Sequence, residues 1–181
     1  MLETLITSKT RIKLLLKFFL NQDTTAHLRG LEDEFNESSN AIRIELNRFE
    51  KAGLLLSTFS GNKKIFSANT NHPLYNEINS LIKKYIGLDE IVEHIINNLG
   101  SLEEVYVTGS FARGIDSDII DLIFIGKNLD TKYLLELIEK AEKYIKRKIR
   151  YIVFSPEQFN THCNLKNSNE NEIDRLLIWK A

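Results

Sequence analysis

Apolar positions recur every three or four residues through the first part of the chain, and that period predicts helices. Ile12, Leu15, Leu16 and Phe19 form one such stripe, with Ser8 as its N-cap and an end near Asn21. A short second helix is expected after a cap at Thr24 or Thr25, turning Leu28, Leu31 and Phe35 inward. Asn36 to Ser39 is a polar break. A third helix then runs from Ser39 to Lys51, burying Ile42, Leu46 and Phe49, and Gly53 closes it. Beyond Gly53 the period changes. Leu54 to Ser57 and Lys63 to Ala68 read as strands, and Ser60-Gly61-Asn62-Lys63 between them is a hairpin signal, because Gly and Asn tolerate positive φ. Three helices followed by a hairpin make a winged helix-turn-helix.

His72-Pro73 interrupts the chain, and two helices are expected at 73–86 and 89–99, ending at Gly87 and Gly100. The remainder alternates: a strand at Val105-Tyr106-Val107, a longer one from Ile119 to Ile125, a helix from Thr131 to Ile145, and a strand from Ile149 to Phe154 that stops at Ser155-Pro156-Glu157. Such alternation indicates an α/β sandwich. A last helix is expected from Glu172 to Trp179, with Trp179 as its packing anchor. The fold class is therefore α+β. Residues 1–71 are assigned to the winged helix, 72–100 to a helical connector, and 101–181 to the sandwich.

Composition adds exclusions. The 181 residues are 43% hydrophobic, ordinary for a globular chain. The apolar run Leu14 to Leu20 is too short to span a membrane, carries Lys17, and lacks a small-residue cleavage site for secretion. A single cysteine, Cys163, reads as an inert thiol in a reducing, cytoplasmic compartment. His27, His72, His94 and His162 show no metal spacing and read as surface or capping residues. The net charge of −1 conceals a small asymmetry: ten Lys and Arg against eight acids in 1–71, and 14 against 17 in 72–181. Nucleic-acid binding would have to rest on a local patch.

Such a patch is available on the third helix. In a helix-turn-helix the second motif helix puts its N-terminal part into the major groove. With Ile42, Leu46 and Phe49 buried, Ser39, Asn40, Arg43 and Asn47 face elsewhere. Arg pairs bidentately with guanine and Asn with adenine. Arg48 and Lys51 suit phosphates, and Lys63 and Lys64 lie at the wing. The segment from Ser39 to Leu54, continued by Gly61-Asn62-Lys63-Lys64-Ile65-Phe66, resembles winged-helix domains of the ArsR/MarR type. Against DNA binding stand Glu32, Asp33, Glu34 and Glu37, which would repel phosphate if they faced it. A protein-interaction role is the alternative. Weak basicity points to a homodimer addressing two half-sites on double-stranded DNA.

The other informative stretch is Gly109-Ser110-Phe111-Ala112-Arg113-Gly114, which follows a strand and opens a helix. Gly and Ser there let backbone N–H groups approach a phosphate. With its continuation, Ile115-Asp116-Ser117-Asp118-Ile119-Ile120-Asp121-Leu122, it looks like the minimal nucleotidyltransferase family of the polymerase-β superfamily, with its G-S-x-A-x-G and S-D-x-D-L patterns. The resemblance spans about Ser101 to Phe159. It implies a nucleotide triphosphate held at Gly109, Ser110 and Arg113, with magnesium held by acids of the Asp118 and Asp121 region.

Two-metal transfer needs carboxylates converging on ions about 3.5–4 Å apart, and D-x-D on a strand meets that need. Here, counting forward from Gly109 puts Asp121 at the first Asp position and Ile123 at the second. Anchoring on the strand end makes Asp121 the second and Ile119 the first. Asp118 is three residues from Asp121, Asp116 lies in the loop, and the later strand from Lys148 to Phe154 has no acid. The sequence is therefore read as a DNA-binding transcriptional regulator whose transferase-like domain is non-catalytic and serves ligand sensing or dimerisation. The rivals are an active magnesium-dependent nucleotidyltransferase and an antitoxin-like module that binds a small helical protein.

Overall fold

The computed structural model describes residues 6–166 and 175–181. The chain divides into two units: Met1–Tyr85 with Gly114–Asp116, and Ile86–Arg113 with Ser117–Ala181. Among the described residues no helix is long and apolar enough to cross a membrane.

In the first unit α1 spans Lys9–Phe19, and Ser8 caps it by accepting a hydrogen bond from the Arg11 amide at 3.2 Å. Its burial is wider than the expected stripe, because Leu14 and Phe18 are fully enclosed as well. A helix apolar on most sides has to be surrounded, and α1 packs on α3 (Ser39–Lys51) and on a strand of the unit's sheet. α3 has the expected bounds, with Ser38 as N-cap, and buries Ile42, Leu46 and Phe49. It ends in a Schellman closure: Gly53 at φ +74 donates to Glu50, and Leu54 donates to Phe49, both at 2.9 Å. The hairpin that follows is β2 (Leu55–Ser60) and β3 (Lys63–Ala68), turned at Gly61 with φ +58.

The expectation for Thr24 and Thr25 needs correction. Thr25–His27 is a strand, β1, antiparallel to β3, which gives the sheet the order β1-β3-β2. Helix α2 (Leu28–Phe35) starts later and is capped by His27, whose Nδ1 accepts from the Gly30 amide at 2.9 Å. The backbone of 25–27 finds its partners on β3, which local sequence does not announce.

Two charged residues of this unit are buried, Lys17 and Glu45. Glu45 on α3 is 5% exposed and takes Arg11 of α1 at 2.8 Å and Arg48, one turn on, also at 2.8 Å. Burial by itself would raise its pKa. Hydrogen bonding and attraction from Arg11, then Arg48, outweigh burial and hold the carboxyl below its usual range.

The second unit contains α5 (Leu88–His94), which follows α4 (Tyr75–Ile86), and a four-stranded sheet. Its strands are β4 (Leu102–Thr108), β5 (Ile119–Gly126), β6 (Lys148–Phe154) and β7 (Arg175–Lys180), in the order β6-β5-β4-β7. The four-residue helix α6 (Gly109–Ala112) follows β4, and α7 (Thr131–Ile145) joins the parallel pair β5 and β6. Strand β5 is apolar on both faces, with Ile120, Leu122, Ile123, Phe124 and Ile125 all buried, as a central strand covered on two sides should be.

Two readings of the C-terminal part are corrected. Ser155-Pro156-Glu157 does more than end a strand; it begins α8 (Pro156–Lys166). Ser155 and Gln158 form a capping box: the Gln158 amide donates to Ser155 Oγ at 3.2 Å, and the Ser155 amide donates to Gln158 Oε1 at 2.9 Å. Pro156 sits at the first helical position, where its missing N–H costs nothing. The segment expected as a final helix around Trp179 is β7, antiparallel to β4 with Trp179 opposite Val105. A four-residue apolar run, Leu176 to Trp179, suits either element, and the open edge of β4 decides. His27 and His72 each accept a backbone N–H, and His94 stacks on Tyr144 at 4.7 Å. The side chains of His162 and Cys163 lie outside the described residues.

Glu45→Gln should destabilise the protein by about 2–4 kcal/mol, because it removes the charge that two arginines face. Urea denaturation of wild type and variant checks this. Since the folded pKa lies below the unfolded value near 4.5, the carboxylate's contribution is complete above about pH 4.5 and is lost as pH falls through the folded pKa. The gap between wild type and Glu45→Gln should therefore shrink below pH 4.5.

Candidate functional site

The first unit carries a groove of about 560 Å³ between α3 and the hairpin. Arg43 and Asn47 line it from α3, Lys63 and Lys64 from the wing, and Arg29 from α2. The two helical positions lie four apart, so they project from one face beside the buried Ile42 and Leu46. The hairpin turn at Gly61 puts the two lysines at the groove's other wall. Ser39 also lines the groove, and its hydroxyl donates to Glu32.

Not every expected contact residue is equally available. Arg43, Lys63, Arg29 and Lys51 form no ion pair among the described residues. Arg48 is engaged by Glu45, and Lys64 by Glu50 at 2.7 Å. Asn40 and Lys51 are exposed but are not among the groove residues. Arg29 escaped sequence reasoning because it sits outside α3, and only the packing of α2 beside α3 brings it to the groove.

The acids that argued against phosphate binding are mostly occupied. Glu34 pairs with Lys17 at 2.8 Å and Glu37 with Lys13 at 2.7 Å, while Glu32 accepts from Ser39. Hydrogen bonds from Lys13 and Thr10 outweigh burial and lower the pKa of Glu37. Asp33 is exposed. Cations of α1 thus neutralise two of the four acids, while Glu32 lines the groove itself.

In the second unit β4 leads into Gly109, whose φ of +65 turns the chain into α6. Across the sheet Thr108 is opposite Asp121 on β5, and Asp121 is opposite Arg150 on β6. Register partners share a face, so the Asp121 carboxylate meets the Arg150 guanidinium: Nε donates to Oδ1 at 2.5 Å. The pairing raises the affinity of Arg150 for its proton. The other oxygen, Oδ2, lies so close to Gly109 that a Cβ there would stand 2.5 Å from it.

This arrangement does not fit magnesium. A hard dication seeks about six oxygen ligands, with negative charge among them. Asp121 has Ile119 and Ile123 on its own side of the strand and a cation across from it. Asp118 is exposed and precedes β5, and its carbonyl accepts from the Lys148 amide. Asp116 accepts a hydrogen bond from Tyr85 at 3.4 Å. Among the described residues no group of three or more His, Cys, Asp or Glu side chains is placed to hold a metal. Ser110 is half-buried in α6 and Arg113 is exposed just beyond it.

No protein-family model matches the chain, and no curated protein matches it. Among solved structures it is similar to one described as "a putative nucleotidyltransferase from Sulfolobus solfataricus", at 30% identity over 57% of this chain and 86% of that one, with a TM-score of 0.34.

Gly109→Ala should cost about 1–2 kcal/mol from the left-handed backbone alone, and it should also push the Asp121 carboxylate off Arg150. Thermal unfolding should show a lower Tm for Gly109→Ala. The deficit should narrow, without vanishing, when Asp121→Ala is made in both backgrounds.

Proposed function

We propose that the first unit is a winged helix-turn-helix that binds double-stranded DNA, and that the protein is a transcriptional regulator whose second, nucleotidyltransferase-like unit performs no transfer chemistry. The observation that carries the first part is the groove in which Arg43 and Asn47 of α3 face Lys63 and Lys64 of the hairpin. A helix able to enter the major groove and a basic wing able to reach the backbone are thereby on one surface. Local cancellation of Glu34 and Glu37 removes part of the repulsion that the acidic stretch would impose.

The side chains have separable roles. Arg43 and Asn47 have the donor geometry for base edges, so they specify. Lys63 is exposed and forms no ion pair among the described residues, so it contributes charge to phosphates. Arg48 and Lys64 must share their charge with Glu45 and Glu50, and their share of DNA affinity is smaller. The second part is supported by Asp121, the one acid on its strand, facing an arginine.

Gel shifts against genomic fragments should reveal salt-sensitive, sequence-selective binding. Arg43→Ala and Asn47→Ala should each weaken the selected site by about 1–3 kcal/mol and relax its sequence preference. Lys63→Ala should weaken all sequences alike and reduce the salt slope by about one counterion. Binding that is absent, or indifferent to Arg43→Ala and Asn47→Ala, would overturn the proposal.

A further inference from the structure

We propose that Arg150 takes the place of a metal ion as the counter-charge of Asp121, so that this unit excludes divalent cations from the position where its resemblance to nucleotidyltransferases implies magnesium. Three observations converge. First, Oδ1 of Asp121 accepts from Arg150 Nε, and Oδ2 lies 2.5 Å from where a Cβ on Gly109 would stand, so the approach from that side is close. A cation would have to displace a guanidinium from a short, charge-assisted hydrogen bond.

Second, the pair is set by the sheet. Asp121 and Arg150 are register partners on parallel neighbours, so the strand pairing that builds the core also presents the guanidinium to the carboxylate. Asp121 is the more enclosed partner, with its side chain 19% exposed against 72% for Arg150. A partly enclosed carboxylate is favoured by a positive neighbour, and the strand beside it carries one at the opposing register position.

Third, among the described residues no second acid flanks Asp121 along its strand or stands opposite it on the neighbouring strands. Residues two before and two after Asp121 are Ile119 and Ile123, and Thr108 stands opposite it on β4. A carboxylate and a guanidinium together carry no net charge. The site therefore neither attracts a dication from solution nor supplies its ligands. Arg150 is the decisive difference, because an acid at that register position would face Asp121 from a strand about 4.8 Å away.

The test is a Mn²⁺ titration of the full-length protein, read by electron paramagnetic resonance of the free ion, with circular dichroism confirming that each variant is folded. The quantity read is the binding that Asp121→Asn abolishes in the same background, so that ions held elsewhere are subtracted. Wild type and Arg150→Lys should show none up to millimolar Mn²⁺. Arg150→Asp places a second carboxylate at an exposed position and should show Asp121-dependent Mn²⁺ binding within the millimolar range where wild type shows none. Asp121-dependent Mn²⁺ binding by wild type would overturn the proposal. A folded Arg150→Asp variant that gains no binding would overturn it too, since Arg150 would then not be the excluding group. The DNA titration has no bearing on either outcome.

Discussion

A carboxylate removed from water requires a counter-charge in fixed geometry, and both units are organised around that requirement. In the first, Glu45 is buried on the helix that carries the candidate reading residues, and Arg11 of α1 reaches across to it. The ion pair holds α3 in one rotational setting against α1. That setting turns Arg43 and Asn47 outward while Ile42, Leu46 and Phe49 stay in the core. In the second unit the same requirement is met between strands, by Asp121 and Arg150. The two cases differ in setting: one ion pair joins two helices beside the groove of the first unit, and the other joins neighbouring strands of the second.

The charges of the first unit also explain how a chain with net charge −1 can offer a basic face. Two of the four acids near α2, Glu34 and Glu37, are paired with Lys17 and Lys13 of α1, while Arg29, Arg43 and Lys63 are left without an ion-pair partner among the described residues. Binding of an anionic partner depends on the local residual charge, because screening limits each charge to about 8–10 Å at physiological salt. Net charge over the whole chain is a poor guide at that range.

Much of the architecture was legible along the chain. The helices Ser39–Lys51 and Thr131–Ile145 have the bounds expected from their caps and apolar period, and the Gly61 hairpin is where its turn residues require it. These are local devices: an N-cap, a Schellman glycine and a tight turn each act within a few residues. Asp121 was also visible as an acid without a neighbour two residues away. Less was legible where partners are distant in sequence. Arg29 gave no signal, and Arg150 looked only like a basic residue where an acid was sought.

Sequence by itself therefore determined the helical and strand periods, the turns, and the shortage of carboxylates around Asp121, because each depends on residues close along the chain. Tertiary structure decided the rest. Thr25–His27 became a strand because β3 offered it hydrogen bonds, and the segment around Trp179 became β7 because β4 had an open edge. Asp121 and Arg150 are 29 residues apart, and only the parallel register of β5 and β6 makes them neighbours. The physical reason is common to all three: a backbone edge or a charge selects its partner by proximity in space, and the sequence records that proximity only indirectly.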